Sequence, residues 1–180
     1  MRKLSMDDLH RKSVGEFLEA EKFPVIAVLE NIRSAYNVGS VFRTADAFLL
    51  EEILLVGYCA IPPHKEIAKT ALGAEQTMQW KHFDNSADTI QYLRGKGYLV
   101  IGIEQTSDSV PLQQLKKIIG QPTAYIFGNE VKGVEQTTLE MCDYCMEIPQ
   151  FGTKHSLNIA VAAGMVLWEA VKNCPEFSKK

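Results

Sequence analysis

Thr123-Ala124-Tyr125-Ile126-Phe127 runs into Gly128-Asn129-Glu130-Val131-Lys132-Gly133: an apolar segment of strand length, stopped by a polar loop between two glycines. A second run, Tyr144 to Ile148, stops at Pro149-Gln150-Phe151-Gly152-Thr153-Lys154-His155-Ser156-Leu157-Asn158 and feeds an alanine-rich segment. Both strands therefore end in loops carrying glycine and polar side chains. In an open α/β sheet that is the edge at which ligands bind.

The same grammar extends outward. Pro24 to Leu29, Glu52 to Gly57 and Tyr98 to Ile103 are near-continuous apolar runs, as expected of strands buried on both faces. Met78 to Phe83 reads as a shorter strand. Between them lie helical patterns. After the polar loop from Glu30 to Tyr36, Asn37 is expected to cap a helix whose apolar positions are Val38, Val41, Phe42, Ala45, Phe48 and Leu49. Gly39, Ser40 and Arg43 fall on its other side. Pro62-Pro63 opens a helix over His64 to Leu72, and Ser86 is the expected cap of another through Ile90, Tyr92 and Leu93. Ser156 to roughly Lys172 forms the last helix. Its stripe of Leu157, Val161, Met165 and Trp168 is expected to pack, and its small face of Ala160, Ala163 and Gly164 to let another backbone come close. Strands alternating with helices predict an α/β fold, a parallel sheet with helices on both faces. Residues 1–22 are expected to form an N-terminal helical arm, helical over 5–19 and capped by Ser5, and residues 23–180 the α/β domain.

Composition narrows the function. A chain of 180 residues, 46% hydrophobic and 23% charged, suits one ordinary globular domain. No apolar run reaches the roughly 18 residues of a membrane span, and the N-terminus lacks the apolar core of a secretory signal, so a cytoplasmic location is expected. The net charge of −3 gives no support for bulk attraction to nucleic acid; an RNA-binding surface must be a local patch. Cys59, Cys142, Cys145 and Cys174 suggest a reducing compartment. Cys142-x-x-Cys145 has redox or half-zinc spacing, but no second pair accompanies it, and it is read as two small apolar residues. His10, His64, His82 and His155 show no metal-ligand spacing, and no metal is expected. Gly128-x4-Gly133 has phosphate-loop spacing, but Val134 stands where the lysine belongs. The dinucleotide fingerprint and the serine-hydrolase elbow are both missing.

Three blocks remain: Asn31 with Asn37-Val38-Gly39-Ser40-Val41-Phe42-Arg43-Thr44-Ala45; Phe127 to Gly133; and Ile148-Pro149 with Ser156-Leu157-Asn158 and Ala160. In that order they resemble the three signature motifs of the SpoU/TrmH family, the SPOUT-class RNA ribose 2′-O-methyltransferases. The resemblance covers residues ~24 to ~172. It implies S-adenosylmethionine-dependent methylation of a ribose 2′-hydroxyl in tRNA or rRNA, a homodimer with the active site at its interface, and a C-terminal deep trefoil knot, which ordinary topology rules make rare.

Laid on this chain, the resemblance assigns cofactor binding to Phe127, Gly128, Asn129, Gly133, Ile148, Pro149, Ser156 and Leu157, with the loop from Glu104 to Thr106 as a further wall. It assigns catalysis to Arg43, with Asn37, Glu130, Ser156 and Asn158 orienting it and the ribose. Gly128 and Gly133 are expected to be glycine for positive φ or close approach to the ligand. Arg43 either loses a proton as the substrate reorganises the site, or stays charged, as guanidinium groups do, and stabilises the developing alkoxide. Arg11, Lys12, Arg43, Lys69 and Lys154 are candidate RNA contacts. The pattern departs in one place: Gln150-Phe151 follows Pro149 where a methionine-type residue is usual. Two other readings stay open: a non-catalytic relative that binds RNA or cofactor, and a methyltransferase acting on a base nitrogen.

Overall fold

The computed structural model describes residues 1–5, 7–118, 120–175 and 177; the last residues of the tail, 178–180, lie outside them. Seven strands make one sheet: β1 (Phe23–Glu30), β2 (Leu50–Val56), β3 (Trp80–Phe83), β4 (Leu99–Ile103), β5 (Val110–Pro111), β6 (Thr123–Phe127) and β7 (Tyr144–Glu147). Their order is β3-β2-β1-β6-β4-β7-β5, and every pairing is parallel. Alternation along the central strands splits the core in two. Val25, Ala27 and Leu29 of β1, with Tyr125 and Phe127 of β6, face one layer. Ile26 and Val28, with Ala124 and Ile126, face the other. The near-continuous apolar runs are thus explained by burial on both sides.

Helices α2 (Ala35–Ala47), α3 (Lys65–Ala71) and α7 (Ile159–Lys172) cover the first face, together with a 3-10 turn, Leu112–Lys117. Helix α5 (Ser86–Gly95) and the region around α6 (Gln136–Leu139) cover the second. The chain runs outward from β1 to β3, crosses back to β4, and only then lays β6 between β1 and β4. The carboxyl ends of β1, β6, β4 and β7 therefore meet at one edge, where a sheet that reverses direction opens a crevice.

Several local expectations are corrected. The first arm is not one helix over 5–19: a 3-10 turn at Asp7–Leu9 and α1 (Val14–Glu19) are separated by His10 at φ 45°. Ser5 does accept the Asp8 amide, but α1 has its own capping box, Ser13 with Glu16. Helix α2 is capped by Ser34 and not Asn37, which sits inside the first turn. Helix α5 is capped by Asn85; the Ser86 hydroxyl instead donates to the buried Glu30 carboxylate. Helix α7 begins at Ile159, capped by Asn158, and not at Ser156. An unforeseen single turn, α4 (Ala74–Thr77), follows Gly73.

The faces of α7 are also divided differently from expectation: of the small face only Ala163 is buried, and Ala160 and Gly164 are half-buried. Ile159, Ala163, Val166, Leu167, Ala170 and Val171 enter the core. Leu157, before the helix, and Val161, Met165 and Trp168 on it are 39–54% exposed, so the expected packing stripe is a solvent face. No helix among the described residues is long and apolar enough to cross a membrane.

Candidate active site

Asn37, Glu130 and Asn158, one from each block, are joined by side-chain hydrogen bonds. The Glu130 carboxylate accepts the Arg33 amide at 2.9 Å, the Ser34 amide at 3.1 Å and Asn37 Nδ2 at 2.9 Å. Asn37 Oδ1 then accepts Asn158 Nδ2 at 3.3 Å, and Asn158 Oδ1 caps α7 through the amides of Ala160 and Val161. Partial burial works to raise the Glu130 pKa, but the hydrogen bonds donated by Arg33, Asn37 and Ser34 outweigh it and hold the carboxyl below its ordinary value. Glu130 also occupies the amino end of α2, where its charge meets the exposed amides of the first turn.

The loop after β6 is a tight hairpin. Asn129 and Gly133 exchange both backbone hydrogen bonds at 2.9 Å. Asn129 Oδ1 takes the amides of Val131 and Lys132, while its Nδ2 donates to the Asn31 carbonyl and to the Tyr58 hydroxyl, both at 2.8 Å. Gly133 has φ 71°, and a Cβ there would stand 2.0 Å from Glu104 Oε2. Glu104 in turn accepts the Val134 amide at 3.1 Å. A Cβ on Gly128 would lie 2.1 Å from Gly133 C and Val134 N. The expectation for Gly128 is thereby revised. Its φ is not positive, and its own hairpin, folding back, demands the missing side chain. Gly39 likewise is set by helix packing, since a Cβ would meet the Ile67 carbonyl of α3 at 2.3 Å.

Between this hairpin, the end of β4 and the loop after β7 lies a cleft of about 310 Å³. Of the expected cofactor residues, Glu104, Phe127, Gly128, Asn129, Gly133, Ile148, Ser156 and Leu157 line it; Thr106 and Pro149 do not. Glu130 lines it as well, and Asn37 and Asn158 stand behind Glu130. Gln105, within the expected Glu104–Thr106 wall, lines it too, while sequence reading missed Glu147, Gln150 and His155. Gln105 Nε2 closes one side by donating to the His155 carbonyl at 3.2 Å. Glu147 and Gln150 flank the Ile148-Pro149 step, and that position was the only available signal for them.

Arg43 is not in this cleft. It follows Asn37 by six residues on α2, about 9 Å along the axis and roughly 240° around it. It lines a separate groove of about 1000 Å³ with Arg11, Lys12, Phe48 and Trp168. The Arg43 side chain is exposed and carries no ion pair among the described residues; Asp46 accepts instead from Thr77 Oγ1. Of the expected RNA contacts, Arg11, Lys12 and Arg43 thus share one groove. Lys69 lies apart from it, over the Tyr36 ring at 5.7 Å, and exposed Lys154 sits on the cleft loop.

The cysteine pair offers no competing chemistry. Burial pushes Cys142 up to about 12 and raises Cys145, opposite to the low-pKa thiolate of redox motifs. No cluster of three metal-ligating side chains occurs among the described residues.

Residues 24–168 match the model of the SpoU rRNA methylase family. The chain belongs to that family. It is 32% identical over 165 residues to the 23S rRNA (guanosine-2′-O-)-methyltransferase RlmB of Neisseria meningitidis, covering 92% of this chain and 64% of that one. The RlmB of Ralstonia nicotianae is also 32% identical, over 149 residues, covering 83% of this chain and 59% of the relative. The chain thus spans about three-fifths of the length of these curated SpoU relatives. Among solved structures, the AdoMet-bound rRNA methyltransferase of Sinorhizobium meliloti superposes with TM-score 0.76 at 27% identity, covering 86% of this chain and 59% of that one. The TrmH/SpoU tRNA modifying enzyme of A. aeolicus shares the fold, with TM-score 0.80 at 23% identity, over 92% and 82%.

Proposed function

We propose that this SpoU-family chain is an RNA ribose 2′-O-methyltransferase that uses S-adenosylmethionine, acts on rRNA or tRNA, and works in the cytoplasm as a homodimer. The observation that carries the reading is the hydrogen-bonded chain Glu130–Asn37–Asn158 beside the cleft, which ties together the three motifs at the carboxyl edge of the sheet. The AdoMet-bound relative and the 2′-O-methyltransferase relatives support the cofactor and the acceptor.

The cleft suits this cofactor. Its volume falls at the small end of ligand pockets, and Phe127, Ile148, Leu157 and Ile159 give it apolar walls. The carboxylates of Glu104, Glu130 and Glu147 outnumber Lys132 and His155, a lining that favours a cationic sulfonium over a polyphosphate. When bound, S-adenosylmethionine supplies an electrophilic methyl group. The protein's part is placement: Glu104 and Gly133 hold the hairpin, and Glu130 fixes Asn37 and the start of α7. The charged Arg43 guanidinium holds an RNA phosphate and stabilises the negative charge on the 2′-oxygen as the 2′-hydroxyl passes its proton to solvent water.

Because Arg43 and the cleft lie apart within one chain, the complete site forms between two copies. Arg43 of one protomer reaches the cleft of its partner, and the exposed stripe of Val161, Met165 and Trp168 is the contact face. The arm of residues 1–22 brings Arg11 and Lys12 to the Arg43 groove as RNA contacts. Lys154 meets RNA from the cleft loop, and Lys69 from beside Tyr36. A deep trefoil knot in the last third belongs to the same reading, and the late insertion of β6 between β1 and β4 supports it.

The test is transfer of labelled methyl from S-adenosylmethionine to rRNA and tRNA, followed by nucleoside identification. A 2′-O-methylated nucleoside is expected, and a substrate with 2′-deoxyribose at the target should accept nothing. Methylation of that deoxy substrate would make a base the acceptor and refute the ribose reading.

A further inference from the structure

Tyr58, on the loop after β2, is 60% exposed, yet its position is tightly set. Gly57, at φ 67°, lies so close to Asn31 that a Cβ would stand 2.1 Å from Asn31 Oδ1. The Tyr58 amide donates to that same oxygen at 3.4 Å. The phenolic oxygen accepts Asn129 Nδ2 at 2.8 Å, and that Nδ2 also donates to the Asn31 carbonyl. One side-chain amide therefore ties together the loop after β1, the loop after β2 and the hairpin that walls the cleft. A surface tyrosine normally samples several rotamers. This one is held at both ends, by its backbone and by its hydroxyl, and much of its ring is left to solvent.

The segments that meet at Asn129 also carry two cations. The Arg33 amide donates to Glu130, the neighbour of Asn129, and the Lys132 amide donates to Asn129 itself. Both side chains are exposed, and neither has an ion pair among the described residues. A fixed, exposed aromatic face, on segments that also carry cations without an ion pair and beside a ligand cleft, is the chemistry that binds single-stranded nucleic acid. Bases stack on the ring while cations meet the phosphates. A chain with net charge −3 has no general attraction for RNA, so a patch of this kind must supply it locally.

We propose that Tyr58 is a base-stacking platform that seats an unpaired nucleotide of the RNA beside the cleft, with Arg33 and Lys132 on its flanking phosphates. The proposal rests on the RNA methyltransferase reading above and adds the residue that positions the strand. It implies a substrate whose target lies in a loop or bulge, since a base must be unstacked before it can lie on the ring.

The experiment compares wild type with Tyr58→Phe, Tyr58→Trp and Tyr58→Ala in the full chain. Three quantities are read: S-adenosylmethionine affinity by calorimetry, KM and kcat for rRNA and tRNA, and binding of a mixed-sequence single-stranded RNA carrying a fluorescent purine. Stacking quenches the purine. Tyr58→Ala should raise the RNA KM and weaken oligonucleotide binding by about 5- to 150-fold, the range of one lost base–aromatic stack. It should leave cofactor affinity unchanged and abolish the quenching. Tyr58→Phe and Tyr58→Trp, which keep a ring, should retain both RNA affinity and quenching. Unchanged RNA binding in Tyr58→Ala would overturn the proposal. So would equal loss in Tyr58→Phe and Tyr58→Ala with a parallel fall in cofactor affinity, which would make Tyr58 a strut for Asn129. Weakened association between copies, with RNA affinity intact, would assign the ring to a protein contact and overturn it as well. If wild type binds and quenches the oligonucleotide but methylates no RNA, the enzymatic reading fails while the stacking platform stands.

Discussion

Replacing Glu130 by Gln isolates the charge at the centre of the site. Glu130 accepts three hydrogen bonds, from the amides of Arg33 and Ser34 and from Asn37 Nδ2. A hydrogen bond to a charged group contributes roughly 1.5–3 kcal/mol, against about 0.5–1.5 kcal/mol for a neutral one. The Gln oxygen can still accept from Ser34 and Asn37, each bond weakened by about 1 kcal/mol. Its amino group, however, would face the Arg33 amide donor to donor, and that bond is lost. Partial exposure lets water recover some of the difference, which leaves a net cost of about 2 kcal/mol. For a chain of this length that is a fall in Tm of roughly 4–8 °C.

The pH dependence carries the sign of the shift. The folded-state pKa of Glu130 lies below the ordinary glutamate value of 4.5. Its stabilisation is therefore fully present above 4.5 and is lost as pH falls through the lower folded value. Denaturant unfolding of wild type and Glu130→Gln, from neutral pH downward, should show a gap that is constant at neutral pH and closes in acid. The other carboxylates titrate in both proteins and cancel in the difference. A gap that persists at the acid end, or none at neutral pH, would refute the assignment of the stabilisation to this charge.

Three further outcomes are expected. Gly128→Ala places a Cβ 2.1 Å from two backbone atoms of its own hairpin, so it should cost about 1–3 kcal/mol and also lose S-adenosylmethionine binding by calorimetry; normal affinity would show that the hairpin yields. Met165→Glu sets a charge in the exposed stripe of α7 and should turn a dimer into a monomer in sedimentation, with little effect on monomer folding; an unchanged dimer would place the interface elsewhere. Arg43→Ala should keep cofactor affinity and Tm, because the side chain is exposed, yet lose methyl transfer by about 10²–10³-fold, and Arg43→Lys should also be poor. A fall in cofactor affinity would make Arg43 a cofactor contact and refute its assignment to the ribose.

The strands were legible because burial on both faces leaves a run that no helix period fits, as in Val25 to Leu29. The site edge was legible because both glycine-bearing loops follow such runs. Caps were not. Ser34 and Asn37 are both good N-cap residues, three positions apart, and local sequence cannot tell which one caps. The choice is made by Glu130, 93 residues away, which takes the Asn37 side chain into the site and leaves Ser34 to cap. The same competition moved Ser86 from cap to partner of Glu30 and gave the cap to Asn85. Tyr58 had no signal at all, since its anchor, Asn129, lies 71 residues on.

Helix α7 shows most clearly where periodicity runs out. Apolar residues occupy almost its whole circumference, so the sequence pattern selects no face. Pattern alone favoured the larger side chains of Val161, Met165 and Trp168 for the core, but Ala163, Val166 and Leu167 are the ones that fit beneath α2 and β1. A helix that is apolar all round is stable in water only if both faces are covered. One face is covered by this chain's own sheet. The other is open except where Trp168 meets the rings of Phe48 and Phe177, in the same molecule in which Arg43 stands on α2 apart from the cleft. These are separate deficits, one of burial and one of chemistry. On the proposed reading, a second copy packed on the open face of α7, bringing its Arg43 to the cleft, would remove both at once; burial or chemistry alone would leave its position undetermined.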